Sequence, residues 1–442
     1  MKHPSHKAYL LLACFLLALF SPGCQKSKKK PNIILIMADD LGYGGIGCYG
    51  NKEIKTPHLD AMAREGIRFT DFHSNGSVCS PTRAALLTGK YQQRSGLEGV
   101  IYVRGESRKV GLDTQHTTLA KVFQQNGYKT GIMGKWHLGY DQKYNPVQHG
   151  FDEFYGYRSG NVDYHSHYDN AGTYDWYHNL DSLNEPGYVT DLITEHSIDF
   201  IKENKDSPFF LYVPHEAPHV PFQGRKDPGD RYPGADFEYW GSVQDKERAY
   251  KEMVEVMDEG IGKTLKCLEE QGLSENTLIF FLSDNGGLRG FGDNGALRGF
   301  KTELYEGGHR VPAIAYWKGK IMPSTVETLL MSFDLFPTFL SLCGINQPEG
   351  LGLEGQDFSS IFDEKDISTE RDLFWKYRGQ KSVRRDNWKL LITKKDSALY
   401  DLSEDISEEA NLRNKNANLY ADLLDALTRW EKDIDRTPQV TN

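Results

Sequence analysis

Cysteine is scarce in this chain, six in 442 residues, and no two stand as a Cys-x-x-Cys pair. That excludes a disulfide-stapled scaffold and a cysteine-built zinc site, so each cysteine has to be read alone. Long apolar runs are scarce too. The one extended run, Ala8–Phe20, falls short of the ~20 residues that a membrane-crossing helix needs. Positive charge is in deficit, with 52 Lys and Arg against 62 Asp and Glu and a net charge of −10. An acidic body argues against a nucleic acid partner, and an anionic substrate would have to be captured by a local cluster of cations. A compact His/Asp cluster of the zinc-phosphatase kind is also missing. What remains is a globular chain too long for one core, which predicts a large domain plus a smaller one.

Residues 1–23 read as an export signal. Lys2 and Lys7 precede the apolar run, and Ser21-Pro22-Gly23-Cys24 follows it. Small residues before Cys24 resemble a bacterial lipobox, with Cys24 as the lipidated first residue and 24–30 as a basic tether. Removing residues 1–23 takes away Lys2 and Lys7 and moves the formal charge from −10 to −12. The expectation is an exported protein, in the periplasm or outer membrane, that touches a membrane only through a lipid anchor.

Short apolar runs that end in polar residues read as buried strands: Asn32–Met37, Thr130–Met133, Phe209–Val213 and Thr277–Leu282. Helical patterns lie between them, at Pro57–Glu65, Thr117–Asn126, Thr190–Glu203 and Lys246–Gln271. This alternation predicts an α/β fold with a large, mostly parallel sheet flanked by helices. In such sheets ligands bind at the carboxyl ends of the strands. The pattern changes after Gly350, Gly352 and Gly355. Four short strands and the helix Ala417–Ile434 then predict a small C-terminal antiparallel-sheet-and-helix domain over 356–442, behind a catalytic domain over 31–355.

The polar residues at the strand ends are the chemically interesting ones. Asp39-Asp40 and Asp284-Asn285 each follow an apolar strand. Either pair alone reads equally as a solvated strand end. Meeting at one point, three carboxylates and an amide oxygen would suit a hard cation, calcium or magnesium. Lys135 and His137 flank Trp136 and face the same way on an extended segment. His215 lies in the proline-rich run Val213-Pro214-His215-Glu216-Ala217-Pro218-His219, and Lys301 closes a Gly-rich loop. Cys79 stands ahead of Pro81, with Arg83 one helical turn on and Gly89 ending the segment.

Cys79-Ser80-Pro81-Thr82-Arg83 resembles the Cys-x-Pro-x-Arg signature of the formylglycine-dependent (type I) sulfatases. Asn32–Asp40, Gly134-Lys135-Trp136-His137, Ser283-Asp284-Asn285-Gly286, and Lys301 with Arg310-Val311-Pro312 match the other elements of that family in order. The general look is that of secreted bacterial carbohydrate sulfatases similar to those acting on N-acetylgalactosamine or galactose sulfates. The resemblance implies an alkaline-phosphatase-like fold and sulfate ester hydrolysis with release of inorganic sulfate. It implies that a formylglycine-generating or sulfatase-maturing enzyme converts Cys79 to formylglycine (3-oxoalanine), whose hydrate attacks sulfur and forms a covalent sulfate ester. It further implies one Ca2+ (or Mg2+) on Asp39, Asp40, Asp284 and Asn285, with the modified Cys79 as a further ligand. Arg83, Lys135 and Lys301 would clamp the sulfuryl oxygens, His137 would take a proton, and His215 would protonate the leaving alcohol.

Three rivals are weighed against this reading. Gly42-Tyr43-Gly44-Gly45-Ile46-Gly47 fits a dinucleotide loop, but Asp39 and Asp40 beside it would repel a pyrophosphate. A phosphomonoester or phosphodiester hydrolase of the alkaline-phosphatase superfamily shares the aspartates and is separated by sulfate versus phosphate release. A non-catalytic lipoprotein would follow if Cys79 stayed unmodified. For the substrate, a sulfated carbohydrate, the aromatic segment 160–179 offers Asp163, His165, His167, Asp169 and Trp176. It reads either as a sugar-binding loop or as a packed aromatic loop. Arg289 and Arg298 are candidates for a second anionic group.

Overall fold

The run Asn32–Ala38 forms strand β1, and all seven of its residues are buried. A strand apolar on both faces has to sit inside a sheet covered by helices on both sides. In the computed structural model, which describes residues 29–233, 238–365 and 370–435, that is its position. The strands that follow are β2 (Ile67–Phe69), β3 (Phe72–His73), β4 (Lys129–Lys135), β5 (Glu153–Tyr157), β6 (Tyr177–His178), β7 (Asp181–Ser182) and β8 (Phe209–Pro214). They continue as β9 (Thr277–Ser283), β10 (Ala313–Tyr316), β11 (Ser324–Val326), β12 (Leu330–Met331), β13 (Asp372–Tyr377), β14 (Gln380–Arg385), β15 (Trp388–Ile392) and β16 (Ser397–Asp401).

Ten of these form one sheet in the order β11-β2-β10-β9-β1-β8-β4-β5-β6-β7. Its centre is parallel: β1 pairs with both β8 and β9, and β4 with β8 and β5. Antiparallel β10 follows on the outside of β9. One face buries Ile33, Leu35 and Met37 against a large aromatic core, and the other buries Ile34 and Ile36 under the long helix Lys246–Glu270. Each fully buried side chain of this size contributes about 1.5–3 kcal/mol. The mixed, mostly parallel sheet with helices is the alkaline-phosphatase-like arrangement that the family resemblance implies.

Two helix starts have local causes. Thr117–Asn126 shortens to Leu119–Gln125 because the Thr118 side chain accepts the Lys121 N–H at 3.1 Å and becomes the cap. The Cys79 helix begins at Cys79 itself, two residues before Pro81. Proline is tolerated there because the first-turn N–H groups have no helical partner to lose. At the other end Gly89 takes φ +67°, and a Cβ there would come within 2.6 Å of Leu353 and 3.0 Å of Phe336, so the residue is required twice over.

The second, four-stranded sheet is antiparallel, in the order β13-β14-β15-β16. Helix Ala417–Ile434 lays Leu423, Ala426, Leu427, Trp430 and Ile434 onto it, the spacing of one helical face. The same apolar cluster includes Val78, Met331 and Phe333, and Trp375 donates its indole N–H to the Ser74 carbonyl at 2.9 Å. The small sheet therefore props the segment that leads into Cys79. From Pro31 onward the chain packs as one unit. Among the described residues no helix is long and apolar enough to cross a membrane. The export signal, Cys24 and residues 24–28 of the tether lie outside the described residues.

Candidate active site

Four parallel strand ends and one helix start converge. β1 delivers Asp39 and Asp40, β9 delivers Asp284 and Asn285, β4 ends in Lys135 and leads to His137, and β8 leads into the loop carrying His215 and His219. The Cys79 helix supplies Cys79 and Arg83, buried along its whole length. Asp39, Arg83, Lys135, Asp284 and Asn285 are all fully buried. Charges in that state persist only when paired, and the pairs are direct. Arg83 holds Asp284 at 2.8 Å, Lys135 meets Asp39, and the Lys301 ammonium lies 2.7 Å from Asp40. Backbone strain collects in the same place: Asp40 and His137 sit at φ +62° and +56°. Non-glycine residues in that region cost about 1–3 kcal/mol each and persist where surrounding structure over-determines them.

The electrostatics are divided between the carboxylates. Burial pushes Asp39 up, against the pull of Lys135 and Arg83. Burial and the neighbouring Asp39 likewise push Asp284 up to about 6. For Asp40 burial is outweighed by Lys301 and His219, which hold it at about 2. Burial and Lys135 keep His137 well below the usual imidazole range, so it is neutral at pH 7 and able to accept a proton.

Two oxygens in this cluster have no hydrogen-bond partner, Asp39 Oδ1 and Asn285 Oδ1. Asn285 spends its amide protons on Asp40 and the Gly286 carbonyl, at 2.8 and 2.9 Å, which turns its oxygen away from both. Buried acceptors without donors are rare and call for an explanation. Carboxylate and amide oxygens suit a hard divalent cation, so Asp39, Asp40, Asp284 and Asn285 fit the metal set the sequence proposed. Cys79, Asp39 and Asp284 also place one ligand atom each within 4.8 Å of one another.

A cavity of about 260 Å³ opens over this cluster, lined by Cys79, His137, His219 and Lys301 among others. His137 points its Nε2 at the Ile101 carbonyl, 2.9 Å away, leaving Nδ1 without a partner. Gly160 packs on that imidazole so closely that a Cβ would stand 2.7 Å from Nε2.

The expectation for His215 does not match its position. His215 is absent from the cavity wall, and burial alone lowers it to about 3, so it carries no proton to donate at neutral pH. Its backbone N–H is spent on the Met37 carbonyl at 2.8 Å. His219, four residues on, lines the cavity and brings Nε2 to 3.6 Å from Asp40. The two histidines share one irregular loop, where no periodicity tells inward from outward.

The substrate-binding expectations also move. Asp163 is saturated by backbone N–H groups of His165, Ser166, Asp230 and Arg231 and by the Gln223 amide, so it staples loops together. His165 and His167 bond the carbonyls of Gly224 and Gly187, both at 3.0 Å. Asp169 caps the turn at Ala171 and Thr173. Trp176 is fully buried with its N–H on Glu185 at 2.8 Å. Arg289 lies over Phe300 and pairs with Glu303, and Arg298 lies over Tyr305. None of these seven lines the cavity; the segment is a packed aromatic loop that contributes Gly160, Asn161 and Asn170 instead. Tyr102, Tyr239, Tyr377 and Arg378 also line the wall, and sequence reasoning gave none of them a part in the site.

Comparison with known proteins agrees with this geometry. The sulfatase family profile matches residues 31–345, and an N-sulphoglucosamine sulphohydrolase C-terminal profile matches residues 299–433. N-acetylgalactosamine-6-sulfatase of Canis lupus familiaris is 33% identical over 384 residues, 81% of this chain and 70% of that protein. Arylsulfatase A of Homo sapiens is 32% identical over 459 residues, covering 91% and 87%. The crystal structure of Ps i-CgsB in complex with k-i-k-neocarrahexaose superposes with a TM-score of 0.84 at 30% identity, over 93% of this chain and 94% of that one. The phosphoesterase alternative is not favoured by these matches. A cysteine-headed helix set over a carboxylate floor, in a chain matched along most of its length, leads to one conclusion: this protein belongs to the sulfatase family and is a sulfuric ester hydrolase.

Proposed function

We propose that the protein removes sulfate from galactose or N-acetylgalactosamine residues of a sulfated glycan, at the 4- or 6-position, through a formylglycine made from Cys79. The observation that carries this is the position of Cys79, first residue of a buried helix, on the cavity wall and beside Asp39 and Asp284. The names of the N-acetylgalactosamine-6-sulfatase relatives and the carrageenan-type oligosaccharide bound by Ps i-CgsB support the glycan class.

Formylglycine at position 79 would supply a hydrated aldehyde, whose two hydroxyls allow one oxygen to attack sulfur and the other to expel it. A Ca2+ ion held by Asp39, Asp40, Asp284 and Asn285 would supply positive charge next to that nucleophile. The chain's own residues do the rest. Lys301 reaches the cavity while Lys135 and Arg83 stand just beneath, so three cations face a substrate that gathers charge on its sulfuryl oxygens. Lys135 and Lys301 pair with Asp39 and Asp40; with a divalent ion on those carboxylates, the two ammonium groups would be free to face the sulfate. His137, neutral and with a free Nδ1, accepts a proton. His219 takes the place expected for His215 beside the departing alcohol; burial and Lys301 hold it well below the ordinary imidazole value, so the proton it would donate has to arrive with the anionic substrate bound.

The leader and Cys24 fit export and lipid attachment, with Cys79 converted by a maturing enzyme before the fold encloses it. Mass spectrometry of the tryptic peptide Phe69–Arg83 from the native host tests the core of the proposal. Formylglycine at position 79 is the expected result; unmodified cysteine throughout would sink it. A screen of defined sulfated mono- and disaccharides then reads the sugar and position through released sulfate.

A further inference from the structure

Two cavities share a wall. The catalytic cavity of about 260 Å³ and a second of about 410 Å³ have four lining residues in common, Val100, Tyr102, Tyr377 and Arg378. The inner space is smaller than the ~300–1,000 Å³ of sites that enclose a drug-sized ligand. A glycan longer than its sulfated end therefore has to continue outside it, and the shared wall is where the outer cavity begins.

Arg378 stands out on that wall. It and Gly379 form the two-residue turn between β13 and β14, at φ +47° and +80°. Such a turn wants Asn, Asp or Gly at its first position, because a side chain with left-handed backbone costs about 1–2 kcal/mol. Arginine is a poor choice for the turn itself, which points to a role for its head group. Among the described residues no carboxylate lies within ion-pair distance of that guanidinium. Its Nη2 donates to the Tyr102 hydroxyl at 3.0 Å, and Tyr102 is 51% exposed. The neighbouring cation, Lys376, is by contrast engaged by Glu431 and Asp435. Glu98 is the one carboxylate on the outer cavity. A guanidinium with donors to spare, held by a short turn and a tyrosine, is suited to bind an anion bidentately.

We propose that the outer cavity is a second sugar subsite, in which Arg378, steadied by Tyr102, reads a negatively charged substituent on the sugar next to the one that loses its sulfate. The exposed ring of Tyr102 offers that sugar a stacking face. The substituent is a sulfate or a carboxylate. The inference rests on the sulfatase reading of the inner site.

The test compares kcat/KM for substrates that share one hydrolysable sulfate: a galactose or N-acetylgalactosamine monosaccharide, a disaccharide with a neutral second sugar, and disaccharides whose second sugar bears a sulfate or a carboxylate. The wild-type enzyme is expected to prefer a charged disaccharide over the neutral one by about 10-fold or more, the worth of a charge-assisted pair. Arg378→Ala removes that preference and Arg378→Lys restores part of it, while Arg289→Ala, a surface arginine away from both cavities, leaves it intact. The two charged disaccharides show which anion is read. Equal loss on all substrates in Arg378→Ala, or no wild-type preference, overturns the subsite. No sulfate release by the wild type from any of them would instead remove the underlying reading of the inner site.

Discussion

Two clusters of buried charge lie in this molecule, and each sets three carboxylates against three cations. The catalytic cluster has Asp39, Asp40 and Asp284 with Arg83, Lys135 and Lys301. The other has Asp71, Glu306 and Glu408 with Arg310, Arg384 and Lys389, and it lies where the small sheet meets the large one. In the second, Arg384 bridges Asp71 and Glu306 at 3.0 and 2.8 Å, and Lys389 sits 2.9 Å from both Glu306 and Glu408. His73 links Asp71 to His309 at 2.7 and 2.9 Å, and Trp375 stacks on His309. His73, Glu306 and His309 approach one another closely enough to suggest a metal, yet cations of the chain already occupy the acidic groups. The catalytic cluster leaves Asp39 Oδ1 and Asn285 Oδ1 unmatched and lies beneath a cavity. Equal charge counts thus produce a weld in one place and a receptive site in the other. What differs is where the spare acceptors lie: those of the first cluster sit beneath a cavity, while the one in the second, Glu408 Oε1, is 2.9 Å from the Lys389 ammonium.

The comparison can be broken by substitution on either side. Cys79→Ala should lower sulfate release by about 10⁴-fold or more with little change in thermal midpoint, since the residue contributes chemistry and little volume. An inactive wild type and an equally inactive variant would remove the site's role. In the weld, Glu306→Gln takes one of two carboxylate partners from each of Arg384 and Lys389, and breaking buried pairs in this way costs about 3–5 kcal/mol. The measurement is the chemical-denaturation midpoint, and the folded fraction should keep its KM. A stability loss below about 1 kcal/mol, the level of an exposed pair, would show that the cluster is no weld.

Asp284→Asn should lower kcat/KM by about 10²–10³-fold, the scale for removing one electrostatic group from a transition-state site. Chelation of the wild type should do the same, with recovery on adding Ca2+. Full activity after thorough chelation would make the first cluster a weld like the second.

Acid should separate the clusters less sharply. Burial and Lys389 hold His309 well below 6.5, and burial lowers His73 in the same direction. The unfolded chain therefore binds protons that the folded one refuses, and stability falls as pH drops below about 6.5. Asp71 and Glu306 act in the same sense: burial is outweighed by Arg310 in the first and Lys389 in the second, so both stay below the ordinary 3.8 and 4.5. Their share is present at neutral pH and lost below about 4.5. Glu408 opposes them, since burial raises it to about 7 and the folded state takes up its proton first. The expected loss between pH 7 and 5, on the order of 1 kcal/mol per histidine, is therefore read from the denaturation midpoints of Glu408→Gln, where a flat profile would contradict it. The smallest effect belongs to Glu303→Gln. Its partner Arg289 is 66% exposed, and such pairs contribute about 0–1 kcal/mol.

Much of the fold was legible from short-range pattern. Helices Pro57–Glu65 and Ala417–Ile434 match expectation to the residue, and the four apolar runs are the adjacent strands β9-β1-β8-β4. Periodicity reports burial, and strands buried on both faces leave few arrangements. The meeting of Asp39, Asp40, Asp284 and Asn285 was legible because strand ends in such a sheet share one edge. The aromatic segment misled, since aromatic rings with hydrogen-bonding side chains serve a packed loop as well as a sugar platform, and composition does not separate the two. His219 was missed in favour of His215 because direction within an irregular loop is set by what it packs against.

The sequence by itself determined the family, the sheet, and the residues that carry charge at its edge. Each follows from local periodicity or from an ordered motif. Only the tertiary structure decided which of two histidines faces the cavity, that seven substrate candidates are occupied elsewhere, and that Tyr102 and Arg378 meet. Those two residues lie 276 positions apart, and nothing in either neighbourhood encodes the other. Contacts of that range arise from the docking of the small sheet on the large one, a property of the whole packed chain and of no segment within it.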